Sequence, residues 1–171
     1  MLDDAADRMD ALSPVDPGTY RSALRRLASG VTVVTTRVDG VDHAMTATAF
    51  APVSLDPPLV MVCVDRSARI HTPLIESLAW GVSLLAATPE ARAASRWLAR
   101  RGRPLDGQLD EVAVSRGVTG VALLEEAVAR LECRTAGHHP AGDHTIVLGE
   151  VVTAVQDDPD ARPLVYHAGD Y

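Results

Sequence analysis

The sequence predicts a mainly β fold, a Greek-key-like antiparallel barrel with a few peripheral α-helices. Three observations carry that reading. Short β-branched or alternating runs recur along the chain, divided by glycine and proline turns. Three helices, each opened by a capping residue followed by proline, are attached to them. The first strand is not followed by GxGxxG, and helices do not alternate regularly with strands as a doubly wound sheet requires. With 171 residues, 47% apolar and 23% charged, one domain with a sizeable core is expected.

In chain order, residues 1–16 read as a flexible acidic lead-in and residues 17–171 as the domain. Asp16-Pro17 opens the first helix; Tyr20, Leu24 and Leu27 give it one apolar face, and Gly30 is read as its left-handed cap. Val31–Thr36 is β-branched throughout and therefore a strand. Asp39-Gly40 turns the chain into a second strand, about His43 to Ala49. Leu55-Asp56-Pro57-Pro58 breaks the chain. Leu59–Val64 is a continuous apolar run, expected to be a strand buried on both faces. Thr72-Pro73 caps a short helix to about Leu78, Trp80–Ala87 is a strand, and Thr88-Pro89 starts a helix to about Arg101. Gly102–Gly120 reads as loop with one helical turn. From Val128 the chain alternates, Arg130, Glu132 and Arg134 against Ala129, Leu131, Cys133 and Thr135. His138–Asp143 is read as a loop, His144 to about Val155 as a strand, and Leu164–His167 as a last short strand.

Composition excludes several chemistries. All 16 basic residues are arginine, and lysine and asparagine are absent. No Schiff-base lysine, P-loop lysine or N-glycosylation acceptor exists. A net charge of -7 and 4% aromatic residues argue against a nucleic-acid partner. Any phosphate must be held by arginine, hydroxyls or backbone N–H groups. Met1–Asp10 has neither a basic n-region nor an apolar h-region, and Leu59–Val64 is far too short to span a bilayer. A cytoplasmic location without a membrane partner is the expectation. Cys63 and Cys133 have no metal-type spacing and read as buried small hydrophobes.

Three segments are placed to carry chemistry. Met45-Thr46-Ala47-Thr48-Ala49-Phe50 alternates small residues with hydroxyls, which lets a flat ligand approach the backbone and bonds its edge; an edge strand with threonines facing water is the other reading. Asp65–Pro73 gathers Arg66, Ser67, Arg69 and His71 between a strand end and a helix start. That composition suits a phosphate, or else a solvated loop. His138, His139, Asp143 and His144 raise a metal reading, but the spacing matches no zinc pattern and adjacent histidines point apart in a strand, so no metal is expected. His144, braced by Asp143, suits a positioned polar group or proton donor. Gly149, mid-strand, marks a bulge or a close backbone approach.

Taken in order, Leu27–Thr36, Met45-Thr46-Ala47 with Phe50, Val53–Val60, Cys63-Val64-Asp65, Leu131-Glu132-Cys133, Gly142-Asp143-His144-Thr145-Ile146 and Gly149-Glu150-Val151 resemble the short-chain flavin reductase family, whose fold is the FMN-binding split barrel. The resemblance covers about residues 17 to 171. It implies an NAD(P)H:flavin oxidoreductase, passing a hydride from NADH or NADPH to FMN or FAD. Such a protein is the homodimeric reductase component of a two-component system and supplies reduced flavin to a separate monooxygenase. The resemblance places the flavin ring against Met45, Thr46, Ala47, Thr48 and Ala49, with backbone support from Val62, Cys63 and Val64. It places the phosphate on Ser67 and Arg69, and makes His144 the catalytic residue where nicotinamide and flavin meet. The chain departs from the family at Thr48 and Ala49, where relatives often carry asparagine then serine, and at Pro52, often serine. Ala49 offers no side-chain hydrogen bond. Two other readings stay open: a split-barrel flavoprotein that keeps its flavin as an oxidase or accessory subunit, and a haem- or planar-ligand-binding module with His144 or His167 as axial ligand.

Overall fold

The computed structural model describes residues 12–171; residues 1–11 of the expected lead-in lie outside them. In chain order the elements are α1 (Pro17–Leu24), β1 (Ser29–Gly30), β2 (Thr32–Val38), β3 (Val41–Ala47), β4 (Phe50–Leu55), β5 (Pro58–Asp65), α2 (His71–Glu76), β6 (Ala79–Leu85), α3 (Pro89–Ala99), β7 (Val114–Arg116), β8 (Ala122–Leu124), β9 (Ala127–Ala141), β10 (His144–Gln156) and β11 (Val165–Tyr166).

Seven strands form the main sheet in the order β3-β2-β6-β9-β10-β5-β4, every pairing antiparallel. The sheet coils into a split barrel. Alternation along each strand sends one set of side chains inward. Val34, Val62, Val64, Trp80, Val82, Cys133 and Val147 form the interior. Met45 and Phe50, from the two edge strands, pack against this same cluster, so both edges curl over one core. Ile70 and Leu74 on and beside α2 stop one end of it, and His71 Nε2 ties α2 to Thr145 Oγ1 at 2.8 Å. On the other face of β2 and β6 a second cluster, with Val33, Leu85, Ala91, Leu98 and Leu124, seats α3.

Two hairpins explain the register. Asp39 and Gly40 both have positive φ, 50° and 80°, which is the type I′ geometry that matches strand twist. Gly142 at φ 63° and Asp143 close β9 onto β10, pairing Ala141 with His144. At Gly149 the β9–β10 register shifts. A Cβ there would collide with the Trp80 ring and lie 2.7 Å from Cys133 Cβ, so Gly149 is the close approach its mid-strand position predicts.

The structure differs from the sequence reading in several places. Gly30 is not a helix cap: Arg25 closes α1 in αR geometry, and Gly30 is extended, paired with Val165. The apolar face of α1 is uncovered, with Tyr20, Leu24 and Leu27 exposed. Phe50–Leu55 is a strand, β4, whose pairing with β5 tolerates Pro52 beside a register shift because the strand is at an edge. β5 is buried on one face only: Val60, Val62 and Val64 are enclosed, whereas Leu59, Met61 and Cys63 are half-buried. Thr72 does not cap α2; Ile70 holds that position without a side-chain bond. The segment 102–120 contains β7, hairpinned to β8. His138 and His139 belong to β9, opposite Val147 and Ile146, because a two-residue turn suffices to reverse the chain. Among the described residues no helix is long and apolar enough to cross a membrane.

Candidate active site

A cleft of about 440 Å³ opens between the end of β3, the loop after β5 and the turn after α3. Its walls hold Met45 and Thr46, Asp65, Ser67 and Arg69, and Arg100 to Arg103. Local chemistry fixes each wall. Thr88 caps α3 by accepting from Ala91 N at 3.1 Å. Thr46 Oγ1 donates to Ser95 O at 2.7 Å and pins α3 to β3. Beyond α3, Gly102 takes φ 73°, a left-handed turn that glycine adopts at no steric cost. The turn brings Arg103 back to donate to Ala44 O, Arg100 O and Gln108 Oε1. On the opposite wall the Asp65 carboxylate accepts from the backbone N–H and the hydroxyl of Ser67, both at 2.7 Å. Those two bonds, the backbone one first, hold its carboxyl below the usual range. Arg69 bridges the walls by donating to Arg103 O at 2.6 Å.

The cleft is strongly cationic. Four guanidiniums line it, and Asp65 is the one carboxylate in its lining among the described residues. This lies in a chain of net charge -7, so the field is local rather than global. Burial, then the neighbouring Arg69, lowers the Arg103 pKa from its ordinary value. His43, on the same strand as Met45, is lowered by burial first and by Arg69 second, with Asp42 opposing. Its Nδ1 is buried without a partner, as is Arg103 Nε.

The residues singled out in the sequence do not all meet. Met45, Thr46, Ser67 and Arg69 share the cleft. Thr48 and Ala49 line a second hollow of about 340 Å³ with Leu24, Leu27 and Tyr166. Ala47 lies between, its methyl in the barrel interior. Val62 and Val64 also point into the core, leaving only their backbone for a ligand, and Cys63 faces outward. Cys63 N donates to Ala49 O at 2.9 Å, which joins β5 to the chain between β3 and β4. His144 is outside the lining, yet its strand partner is Asp65. Its Nδ1 lies 2.7 Å from Asp143 Oδ1, which leaves Nε2 outward. Sequence reasoning passed over Arg100, Arg101 and Arg103. The signal was there, three arginines around one glycine at a helix end, but Arg100 and Arg101 read as the last residues of a helix and Arg103 as part of the following loop.

A cationic cleft at the rim of a split barrel has the donor set that matches a phosphorylated small molecule. The comparisons narrow that class. Residues 24–171 match the family model of the flavin reductase like domain. An NADH-dependent flavin reductase from a Rhodococcus species is 40% identical over 163 residues, covering 92% of this chain and 86% of the relative. The crystal structure of the flavin reductase component of a bacterial two-component tryptophan halogenase superposes with TM-score 0.82 at 42% identity, covering 91% of this chain and 96% of that one. A Streptomyces globisporus NADH:FAD oxidoreductase, solved with NAD and FAD fragments, superposes with TM-score 0.83 at 36% identity, covering 92% and 94%. The chain belongs to the flavin reductase-like family.

Proposed function

We propose that this protein transfers a hydride from NADH or NADPH to FMN or FAD and releases the reduced flavin to a separate monooxygenase component. The observation that carries the reading is the cleft: four guanidiniums and Ser67 beside the small residues at the end of β3, in a member of a flavin reductase family. The donor set fits the group. Guanidinium forks and a hydroxyl match phosphate oxygens, and Met45 to Ala49 supply backbone and small side chains for a flat ring.

When bound, flavin and nicotinamide supply the hydride chemistry themselves. The chain's residues bind and orient. Arg69 holds the phosphate with the nitrogens it does not give to Arg103, and the Ser67 hydroxyl joins it by turning from Asp65. Met45, Thr46, Ala47, Thr48 and Ala49 bear the ring edge, with the backbone of Val62, Cys63 and Val64 behind them. Met45 and Thr46 face the cleft while Thr48 and Ala49 face the second hollow, so the end of β3 links both. His144, its Nδ1 held by Asp143, takes or gives a proton at Nε2.

The domain spans residues 17–171, and we place it in the cytosol as a homodimer. Cys63 and Met61 on β5, with their partners Ile146 and Leu148 on β10, leave an apolar, half-exposed outer sheet face. Tyr20, Leu24 and Leu27 add exposed apolar area. A second copy covering these faces would bury them. Sedimentation as a monomer would remove that part of the reading.

Purified protein mixed with FMN or FAD and with NADH or NADPH should consume the nicotinamide absorbance at 340 nm, an order of magnitude above the protein-free rate. No protein-dependent loss with any of the four combinations would reject the function.

A further inference from the structure

We propose that Arg100 and Arg101 form a second phosphate subsite, and that the cleft therefore takes a pyrophosphate-bridged dinucleotide in preference to a mononucleotide. The inference rests on the flavin reading above and deepens it. Ser67 and Arg69 lie on one wall of the cleft; Arg100 and Arg101 lie on the other.

The four arginines are not equivalent. Arg103 is committed to the fold, with donors on Ala44 O, Arg100 O and Gln108 Oε1. Arg69 gives one nitrogen to Arg103 O and keeps the rest of its fork. The Arg100 guanidinium has no hydrogen-bond or ion-pair partner among the described residues. Arg101 has only Asp65, at 4.0 Å, with its side chain 93% exposed. Two guanidiniums thus stand at the cleft without a part in holding the wall together. Their backbone is nonetheless fixed by the Thr46–Ser95 bond, the Gly102 turn and the Arg103 anchor.

A phosphate monoester concentrates its charge in one group, which Ser67 and Arg69 satisfy on one wall. A pyrophosphate diester carries one charge on each of two phosphates, and so offers anionic oxygens to both walls at once. Arginine forks on both sides match that spread, each able to bond in a bidentate manner. The bridge could belong to FAD or to the nicotinamide dinucleotide, which share this chemistry.

The experiment is binding, not turnover. Dissociation constants for riboflavin, FMN, FAD and NAD⁺ are measured by flavin fluorescence quenching and calorimetry for the native chain, for Arg100→Gln with Arg101→Gln, and for Arg69→Gln. Both exposed positions tolerate glutamine without loss of packing, and circular dichroism confirms the fold. The proposal expects the double variant to weaken FAD at least about tenfold while FMN and riboflavin hold. Selective weakening of NAD⁺ with both flavins unchanged also supports the subsite and assigns its bridge to the nicotinamide dinucleotide. Arg69→Gln should weaken FMN and FAD together. Equal loss of FMN and FAD in the double variant, or no change in any ligand, overturns the proposal while leaving the flavin reading intact. A native chain that binds no flavin rejects that reading itself.

Discussion

Replacing Glu132 by glutamine removes one charge, keeps the shape, and tests what holds the β7–β8 hairpin to the barrel. Glu132 is 2% exposed, and its carboxylate meets four donors. Oε1 accepts from Thr119 N at 2.8 Å and Thr119 Oγ1 at 2.5 Å. Oε2 accepts from Val118 N at 3.0 Å and Thr153 Oγ1 at 2.8 Å. Gly117 leaves the room: a Cβ there would collide with Oε2. Whichever oxygen becomes the amide nitrogen, one backbone N–H then faces a donor. A hydroxyl can rotate to accept, but the N–H cannot, and a buried unpaired N–H costs about 1–3 kcal/mol. The remaining bonds fall from charge-assisted to neutral, at about 0.5–1 kcal/mol each. The sum is about 2.5–6 kcal/mol. For a chain of this size each kcal/mol moves Tm by about 2–4 °C, so Glu132→Gln should melt lower by at least about 5 °C at pH 7.5 by circular dichroism. Burial alone would raise this carboxyl's pKa, but the bonds from Thr119, Thr153 and Val118 outweigh it and leave it below its ordinary 4.5. The unfolded chain therefore binds the proton first as pH falls. The stabilisation is full above about pH 4.5 and is lost as pH drops through the lower folded value. The native and variant melting curves should accordingly converge in acid. A Tm within 2 °C of the native value at pH 7.5 would refute the reasoning.

Three further outcomes follow from the same geometry. Gly149→Ala forces a methyl against the Trp80 ring and Cys133 and should cost about 2–3 kcal/mol in urea unfolding; an unchanged midpoint would mean that the strand shifts freely there. Burial, then Arg69, lowers the His43 pKa, so the unfolded chain takes up its proton first as pH falls below 6.5. Stability present above that pH should decline through it, and His43→Gln should flatten the decline between pH 7 and 5.5; an identical slope in the variant contradicts this. Raising ionic strength should increase the KM for FMN while leaving that for neutral riboflavin unchanged, since only the phosphate answers to the guanidiniums; parallel curves would show that the cleft does not steer by charge.

Most of the barrel was legible because its signals are local. Asp39-Gly40, Thr88-Pro89 and the alternating run after Val128 each declare an element from a few adjacent residues, and the structure places those elements within a few positions. What was hidden depends on tertiary partners. Phe50–Leu55 contains Pro52 and carries no clear alternation; it is a strand because β5 pairs with it at the sheet edge. Glu132 alternates like a solvent-facing residue, and only the preceding segment 117–119, folding back over the strand, buries it. The site divides in the same way. Ser67 and Arg69 stand out beside a strand end, whereas Arg100 and Arg101 acquire meaning only when the fold sets the end of α3 against the loop after β5.

The absence of lysine sharpens this division. A guanidinium presents five donors in a planar fork, so one part can bond a carbonyl while another faces a ligand. The cleft uses that property in graded steps. Arg103 gives its donors to Ala44, Arg100 and Gln108 and builds the wall. Arg69 anchors to Arg103 with one nitrogen and keeps the others. Arg100 and Arg101 give almost nothing to the fold. A lysine ammonium is a compact point charge on a flexible stem, and at the place of Arg103 it would satisfy fewer of these acceptors at once. Anchoring and binding are therefore separable here: the exposed arginines can be changed with the barrel intact, whereas loss of Arg103 would release the wall that places the others.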